Sequence, residues 1–467
     1  MPDAAMPIRH RAFSSCSRLF SPIPSQGRGA MASRRSVGGG GRATLKGMVK
    51  MLQLYNSLTR EKEEFVPREG KTVKMFTCGP SIYRRPHLGN YRSFLWEDVL
   101  LRYLRHMGYR VERVLNFTDV EDKAIKEADR EGKSIEALTG SVSEQFYRDA
   151  EVLRLDLPSF IPRSSTCVDQ AVRLIRVLLA KGIAYRHKED IYFDPLKFPG
   201  FGRLFGLDMT RWPKQKRRFR LDTYPGRRWN LGDFILWHGY RDGDGIFWET
   251  ELGRGRPAWN IQDPAIITEH LGYAIDICCG GIDNLYRHHD YNLAVIEAVS
   301  GHEFSRFWIH GEHLLVEGRK MSKSLGNIVY PDDLLADGCS GRHIRFYLLY
   351  GHHRKKINLT DKRFRQACEE LDVFDAAVRK ITRIPKKDRP GNADPSGAAA
   401  GLIDSLRRGF EDRMNDDLDI KGAFDFLSGV VSRLESMESR GELTAEHRKR
   451  IKESLQAIDR VLQVVFP

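Results

Sequence analysis

The chain has 467 residues, 41% of them hydrophobic, and a formal charge of +14. That length exceeds one core and suits two or three domains, and no run approaches the ~20 apolar residues of a membrane span, which excludes a membrane-spanning helix. Seven scattered cysteines (Cys16, Cys78, Cys167, Cys278, Cys279, Cys339, Cys368) exclude a secreted disulfide framework and point to a reducing, cytoplasmic setting.

In chain order, residues 1–50 form a basic tail. Residues 1–47 carry eight basic side chains against one acid, Asp3, which is half of the net charge. An Arg- and Ser-rich, acid-poor tail has the composition of an organellar transit peptide. The run G-G-G-G at 38–41 and later methionines at Met31, Met48 and Met51 suit an over-extended start, the reading favoured here, and the tail is expected to be disordered. The remaining positive charge suits a polyanion such as RNA or ATP, or equally a solvated basic surface.

Residues 73–77 read as a buried strand, followed by the loop C-G-P-S-I-Y-R-R-P. Apolar residues at Phe94, Leu95, Val99, Leu100, Tyr103, Leu104 and Met107 predict a helix over 91–107, ended by Gly108. Residues 110–117 read as a second strand. Strand, helix, strand in this compass is a βαβ unit, with its ligand site at the strand carboxyl ends. Helices are expected over 134–155 and 167–181. Residues 186–257, rich in Gly, Arg, Trp and Phe with a short strand at 190–193, read as an inserted domain. The α/β pattern resumes from 258 to about 330, residues 331–360 form a connecting region, and 361–467 turn helical. Within that bundle, helices are expected over 399–438 and 444–464.

Two motifs carry chemistry. His87-Leu88-Gly89-Asn90 lies between the first strand and its helix. A helix N-terminus presents unpaired N–H groups and partial positive charge to phosphates, Gly89 allows close backbone approach, and His87 and Asn90 can donate hydrogen bonds to an α-phosphate. An ordinary His cap would look the same. Lys320-Met321-Ser322-Lys323-Ser324 is more specific: two lysines and two hydroxyls on a short loop can neutralise a leaving pyrophosphate.

Together these motifs resemble the class I aminoacyl-tRNA synthetases. The stretches T-C-G-P-S-I-Y (77–83), N-F-T-D-V-E-D-K (116–123), D-F-I-L-W (233–237), G-R-P-A-W (255–259), G-G-I-D (280–283) and R-H-H-D (287–290) resemble, in order, the landmarks of the cysteinyl-tRNA synthetase family over residues 51 to about 465. The resemblance implies an α/β fold: a Rossmann-type parallel sheet (51–185 and 258–330) split by an insertion (186–257), then a stem-contact region (331–360) and an α-helical bundle (361–467). It implies ATP with Mg2+ as co-substrate. His87, Asn90, Lys320 and Lys323 would be catalytic, and Gly89, Gly281, Asp283, Ser322 and Ser324 would bind ATP. Cys78, Ser81, Thr118, Trp259, Asp263, His288 and Asn292 would line the amino-acid pocket.

The pocket departs from the family. Its zinc ligands are two Cys, one His and one Glu; Cys78 and His288 are retained, but Asp263 and Asn292 stand at the other two positions. Zinc affinity rests on ligand charge and softness, so the expectation is no catalytic zinc and a preferred substrate other than cysteine, with Cys278 or Cys279 as a substitute sulfur in the alternative. The chain also stops near the end of the bundle, where the family usually continues into an anticodon-reading domain, so anticodon-independent charging is expected. Three functions stay open. One is an aminoacyl-tRNA ligase, supported by the basic run Lys214–Arg220 (K-Q-K-R-R-F-R) with Arg227 and Arg228 as an RNA contact. The second is an adenylate-forming ligase with a small amine acceptor. The third is a non-catalytic RNA-binding relative. A monomer is expected.

Overall fold

A computed structural model describes residues 51–209, 233–322, 325–383 and 397–466. The tail 1–50, the basic run 214–220 with Arg227 and Arg228, and Lys323 and Ser324 lie outside those residues.

The described chain opens with an antiparallel hairpin, β1 (Gln53–Asn56) and β2 (Glu61–Glu64). β3 (Thr72–Thr77), α1 (Leu88–His106) and β4 (Arg110–Leu115) follow, with β3 and β4 parallel. Helix α1 starts three residues before the expected bound at 91. His87 caps it, with its side chain accepting from Gly89 N, so the polar motif itself makes the first turn. Next come α2 (Asp122–Glu131), α3 (Ile135–Val152) and α4 (Val168–Ala180). The apolar pattern passes over α2, which buries only Ala124, Glu127 and Ala128.

Strands β5 (Ala184–His187), β6 (Asp190–Phe193), β7 (Phe234–Gly239), β8 (Trp248–Thr250) and β9 (Gly253–Pro257) form a separate antiparallel sheet, ordered β5-β6-β7-β9-β8. The chain then passes through α5 (Trp259–His270), β10 (Ile275–Gly281), α6 (Asp290–Ser300) and β11 (Ser305–Gly311). Strands β11-β10-β3-β4 are parallel and make the central sheet. Its two faces lie in different cores: Val73, Met75, Ile277 and Cys279 join one, Phe76 and Cys278 the other. Burial on both faces is what a parallel sheet requires. From β3 the chain winds through α1 to one side, and from β10 through α6 to the other. The switch point therefore falls between β3 and β10, where such sheets leave a crevice beyond the strand carboxyl ends.

A small sheet β13-β12-β14 follows, from β12 (Leu314–Val316), β13 (Arg319–Lys320) and β14 (Ile357–Leu359), with α7 (Pro331–Ala336) and α8 (Gly341–Leu349) between the last two. The C-terminal helices are α9 (Asp361–Thr382), α10 (Ala398–Met414), α11 (Ile420–Ser439) and α12 (Ala445–Leu462). The single helix expected over 399–438 is two. Asn-Asp-Asp-Leu-Asp at 415–419 breaks it, with Asp417 and Leu418 in left-handed conformation (φ 59° and 55°) and the Asp419 side chain capping α11 through Gly422 N. Asn and Asp tolerate that region and compete for backbone N–H groups, as caps do.

Candidate active site

One end of the crevice is built on the first turn of α1. His87 Nδ1 accepts from Gly89 N at 3.1 Å, and Asn90 Oδ1 accepts from His87 N at 3.0 Å. Both motif side chains thus shape the helix N-terminus, where Leu88 N donates to Val329 O at 3.0 Å and Asn90 N to His87 O at 2.8 Å. A Cβ at Gly89 would come within 2.9 Å of the His87 ring, so this glycine makes room for the imidazole. Burial lowers the His87 pKa and keeps the ring neutral; Asp283 and Lys320 both act on it electrostatically, in opposite senses. At the end of β10, a Cβ on Gly281 would sit 2.7 Å from Asp283 Oδ1 and 3.7 Å from Ser93 Oγ of α1. The end of β10 approaches α1 closely here.

Lys320 Nζ lies 3.6 Å from Asp283 Oδ2, both side chains more than half exposed. The lysine loop folds back on its own base: Ser322 N donates to Asn327 Oδ1 at 2.8 Å, and Asn327 Nδ2 donates to Lys320 O at 3.2 Å. Gly326 takes the left-handed turn (φ 62°) that closes it. His87, Asp283 and Lys320, far apart in sequence, therefore share one site. His313, between β11 and β12, joins them: burial lowers its pKa, and Asp283 and Lys320 are the next largest influences. Nothing in the spacing of a lone His announces this.

The other end of the crevice is buried. Trp259 opens α5, and Asp263 lies one turn on, on the same face. The Trp259 ring stacks on His288, centroids 4.1 Å apart and planes at 18°. Asp263 Oδ2 is 2.8 Å from His288 Nε2 and 3.8 Å from Cys78 Sγ, which is itself 3.3 Å from His288 Nε2. Asn116 Nδ2 donates to Asp263 Oδ1 at 2.9 Å, while its Oδ1 accepts from Gly79 N at 2.9 Å. Asn116 therefore ties the Cys78 loop to Asp263, a role that lay unmarked inside the N-F-T-D stretch. A Cβ on Gly79 would sit 1.7 Å from Asn116 O, so only glycine permits this approach. Ser81 and Thr118 form an isolated parallel bridge, with Thr118 N donating to Pro80 O at 3.2 Å. Burial, then Asp263, push the Cys78 thiol up.

Asn292 lies four residues after His288 on α6, fully buried, with both amide atoms unpartnered. Cys78, His288 and His289 bring one ligand atom each within 4.8 Å of one another and could hold a metal ion. Neither Cys278 nor Cys279 belongs to a cluster of that kind among the described residues. Both are fully buried in β10, and they serve different cores. The donor set does not match a four-ligand zinc site of the family. One thiol replaces two, the amide of Asn292 replaces a carboxylate, and Asp263 sets a hard carboxylate, with one oxygen accepting from Asn116 and the other beside His288, where the second thiol would stand.

The crevice at a switch point, the helix N-terminus, the lysine loop and the walled pocket define a nucleotide-dependent activating enzyme of Rossmann type. Comparison with known proteins agrees. The family described as tRNA synthetases class I (C) catalytic domain matches residues 64–369. The cysteine–tRNA ligase of Chlamydia muridarum is 35% identical over 422 residues, covering 89% of this chain and 88% of that one; that of Protochlamydia amoebophila is 31% identical over 419 residues, covering 89% and 86%. Among solved structures, Mycobacterium tuberculosis methionyl-tRNA synthetase bound by methionyl-adenylate superposes with TM-score 0.62 at 17% identity, covering 84% of this chain and 92% of that one. The Agrobacterium radiobacter K84 LeuRS in its ternary complex with tRNA and LeuAMS gives 0.60 at 11%, covering 86% and 85%. These two likenesses concern the fold. The chain belongs to the cysteinyl-tRNA synthetase family of class I aminoacyl-tRNA synthetases. It is an aminoacyl-tRNA ligase-type enzyme, and its family implies ATP and Mg2+.

Proposed function

We propose that this enzyme activates an amino acid other than cysteine, one whose side chain carries a hydrogen-bond donor or positive charge, and passes it to a tRNA 3′ ribose. The amino-acid carboxylate attacks the α-phosphorus of ATP, the bond to the β-phosphate oxygen breaks, and pyrophosphate leaves. His87, Asn90 and Gly89 at the α1 N-terminus receive the α-phosphate. Lys320 and Lys323, with Ser322 and Ser324, neutralise the pyrophosphate, and Gly281 and Asp283 hold the adenosine. Ser81, Thr118 and Trp259 wall the substrate.

The observation that carries the choice of substrate is Asp263. It is 1% exposed, its two oxygens are held at 2.9 Å by Asn116 and 2.8 Å by His288, and it stands where the family uses a thiolate. A buried carboxylate gains most from a donor or a cation. No step in the reaction is routed through zinc. The cytoplasmic, monomeric setting is part of the same proposal; the described cysteines are all free thiols, and among the described residues no helix is long and apolar enough to cross a membrane.

Two measurements test the reading together. Metal analysis of purified protein is expected to find no stoichiometric zinc, and pyrophosphate exchange screened across amino acids is expected to favour a polar or cationic one. The pair Asp263→Cys with Asn292→Glu is expected to bring in about one zinc per chain and raise cysteine-dependent exchange. Tightly held zinc in the unmodified protein, or cysteine as its best substrate, overturns the proposal. Transfer to a small amine and not to tRNA would overturn the acceptor alone.

A further inference from the structure

Arg85, two residues before His87, takes no part in the site above, yet it touches two elements around it, α3 and α7. Its Nε and Nη2 donate to Asp149 of α3 at 3.0 and 2.6 Å, a bidentate grip on a carboxylate that is 3% exposed. Tyr91 OH and Gln145 Nε2 donate to the same carboxylate at 2.8 and 3.1 Å. Its third nitrogen, Nη1, donates to Asp332 of α7 at 2.7 Å, and that side chain is 61% exposed. The guanidinium also lies over the Tyr330 ring, 5.1 Å from its centroid. Close by, Leu88 N, in the first turn of α1, donates to Val329 O at 3.0 Å.

Residues 328–333 are the downstream anchor of the lysine loop, and residues 85–90 lead into the helix that faces the phosphates. The loop and the helix must meet one triphosphate from two sides. A buried, bidentate pair with Asp149 fixes Arg85 in one orientation. The exposed pair with Asp332 is weak and screened, so it can open and re-form while Arg85 stays in place. We propose that Arg85 is a positioning residue for adenylate formation, acting with Asp332 as a releasable clamp that sets the lysine loop against the N-terminus of α1. The proposal rests on the reading of this crevice as the ATP site.

The test is Asp332→Asn, an exposed change that leaves the Arg85–Asp149 pair intact. The KM for ATP in pyrophosphate exchange is expected to rise about 2- to 5-fold, the scale of one partly exposed charge contact, with the KM for the amino acid and the melting temperature unchanged. Asp332→Glu is expected to restore the parent value. Arg85→Gln combined with Asp332→Asn is expected to be no worse than Arg85→Gln alone, because the two act through one contact. An unchanged ATP KM in Asp332→Asn overturns the clamp, as does an equal change in both KM values with a lowered melting temperature. Lys320→Ala separates the two failures. If it abolishes exchange while Asp332→Asn does nothing, only the clamp is wrong; if it leaves exchange intact, the ATP site is misread and the clamp falls with it.

Discussion

The two ends of the crevice are built on opposite terms. At the lysine-loop end, Lys320 and Asp283 are more than half exposed and meet at 3.6 Å, and the loop is tied mainly to its own base by Asn327. At the amino-acid end, Asp263, His288 and Asn292 are 1%, 3% and 0% exposed, and Asp263 is held from two sides. The first arrangement stores little folding energy, and the exposed Lys320–Asp283 pair is weak enough to exchange for a phosphate. The second is preorganised, and each buried polar atom left without a partner is destabilising. Rate and stability should therefore separate between the two ends.

The largest effect is expected at the buried end. Asp263→Ala leaves His288 and Asn116 without their shared partner, and each buried polar group stranded in this way costs about 1–3 kcal/mol. Denaturant unfolding reads this directly; a loss under 1 kcal/mol would mean that water replaces the carboxylate. At the open end, Lys323→Ala is expected to lower pyrophosphate exchange ~10²-fold, close to 2.7 kcal/mol of barrier, with no change in melting temperature. A lowered melting temperature would erase the contrast.

The third prediction concerns Glu97 of α1. It is fully buried, both of its oxygens lack partners, and it influences the Cys78 thiol electrostatically. Burial pushes its pKa up to about 8 from 4.5, with Arg113 opposing. A raised carboxyl pKa stabilises the fold fully below about 4.5, and that contribution is lost as pH rises towards 8, because the unfolded chain releases the proton first. Relative to Glu97→Gln, the parent is expected to lose on the order of a few kcal/mol between pH 5 and 8. Parallel stability curves for the two proteins would show that Glu97 has a partner in solution. The smallest effect lies far from the crevice. Asp419→Ala removes the cap of α11, for about 1 kcal/mol and no change in exchange.

The chemistry at the open end was legible because it is local. H-L-G-N must follow a strand to sit on a helix N-terminus, and K-M-S-K-S works as five consecutive residues; each can be read without knowing its neighbours in space. The buried end was legible only as a departure. Asp263 and Asn292 could be seen to replace ligands, but whether Asp263 would be stranded or satisfied depended on Asn116, 147 residues away. The break at 415–419 was written in its Asn and Asp residues, and the apolar period on either side concealed it.

Taken alone, the sequence determined the strand–helix–strand start, the two motifs and the family, since these rest on short-range patterns of hydrophobicity, turn residues and charge. Only the tertiary structure decided that His87, Asp283 and Lys320 meet, that His313 joins them, that Cys278 and Cys279 lie in different cores, and that Arg85 reaches Asp332. The pairings of His87 with Asp283 and of Arg85 with Asp332 span 196 and 247 residues, and the placing of the two cysteines is a choice of sheet face. Pairings of that kind are set by how parallel strands order themselves around a switch point, and no local preference encodes that order.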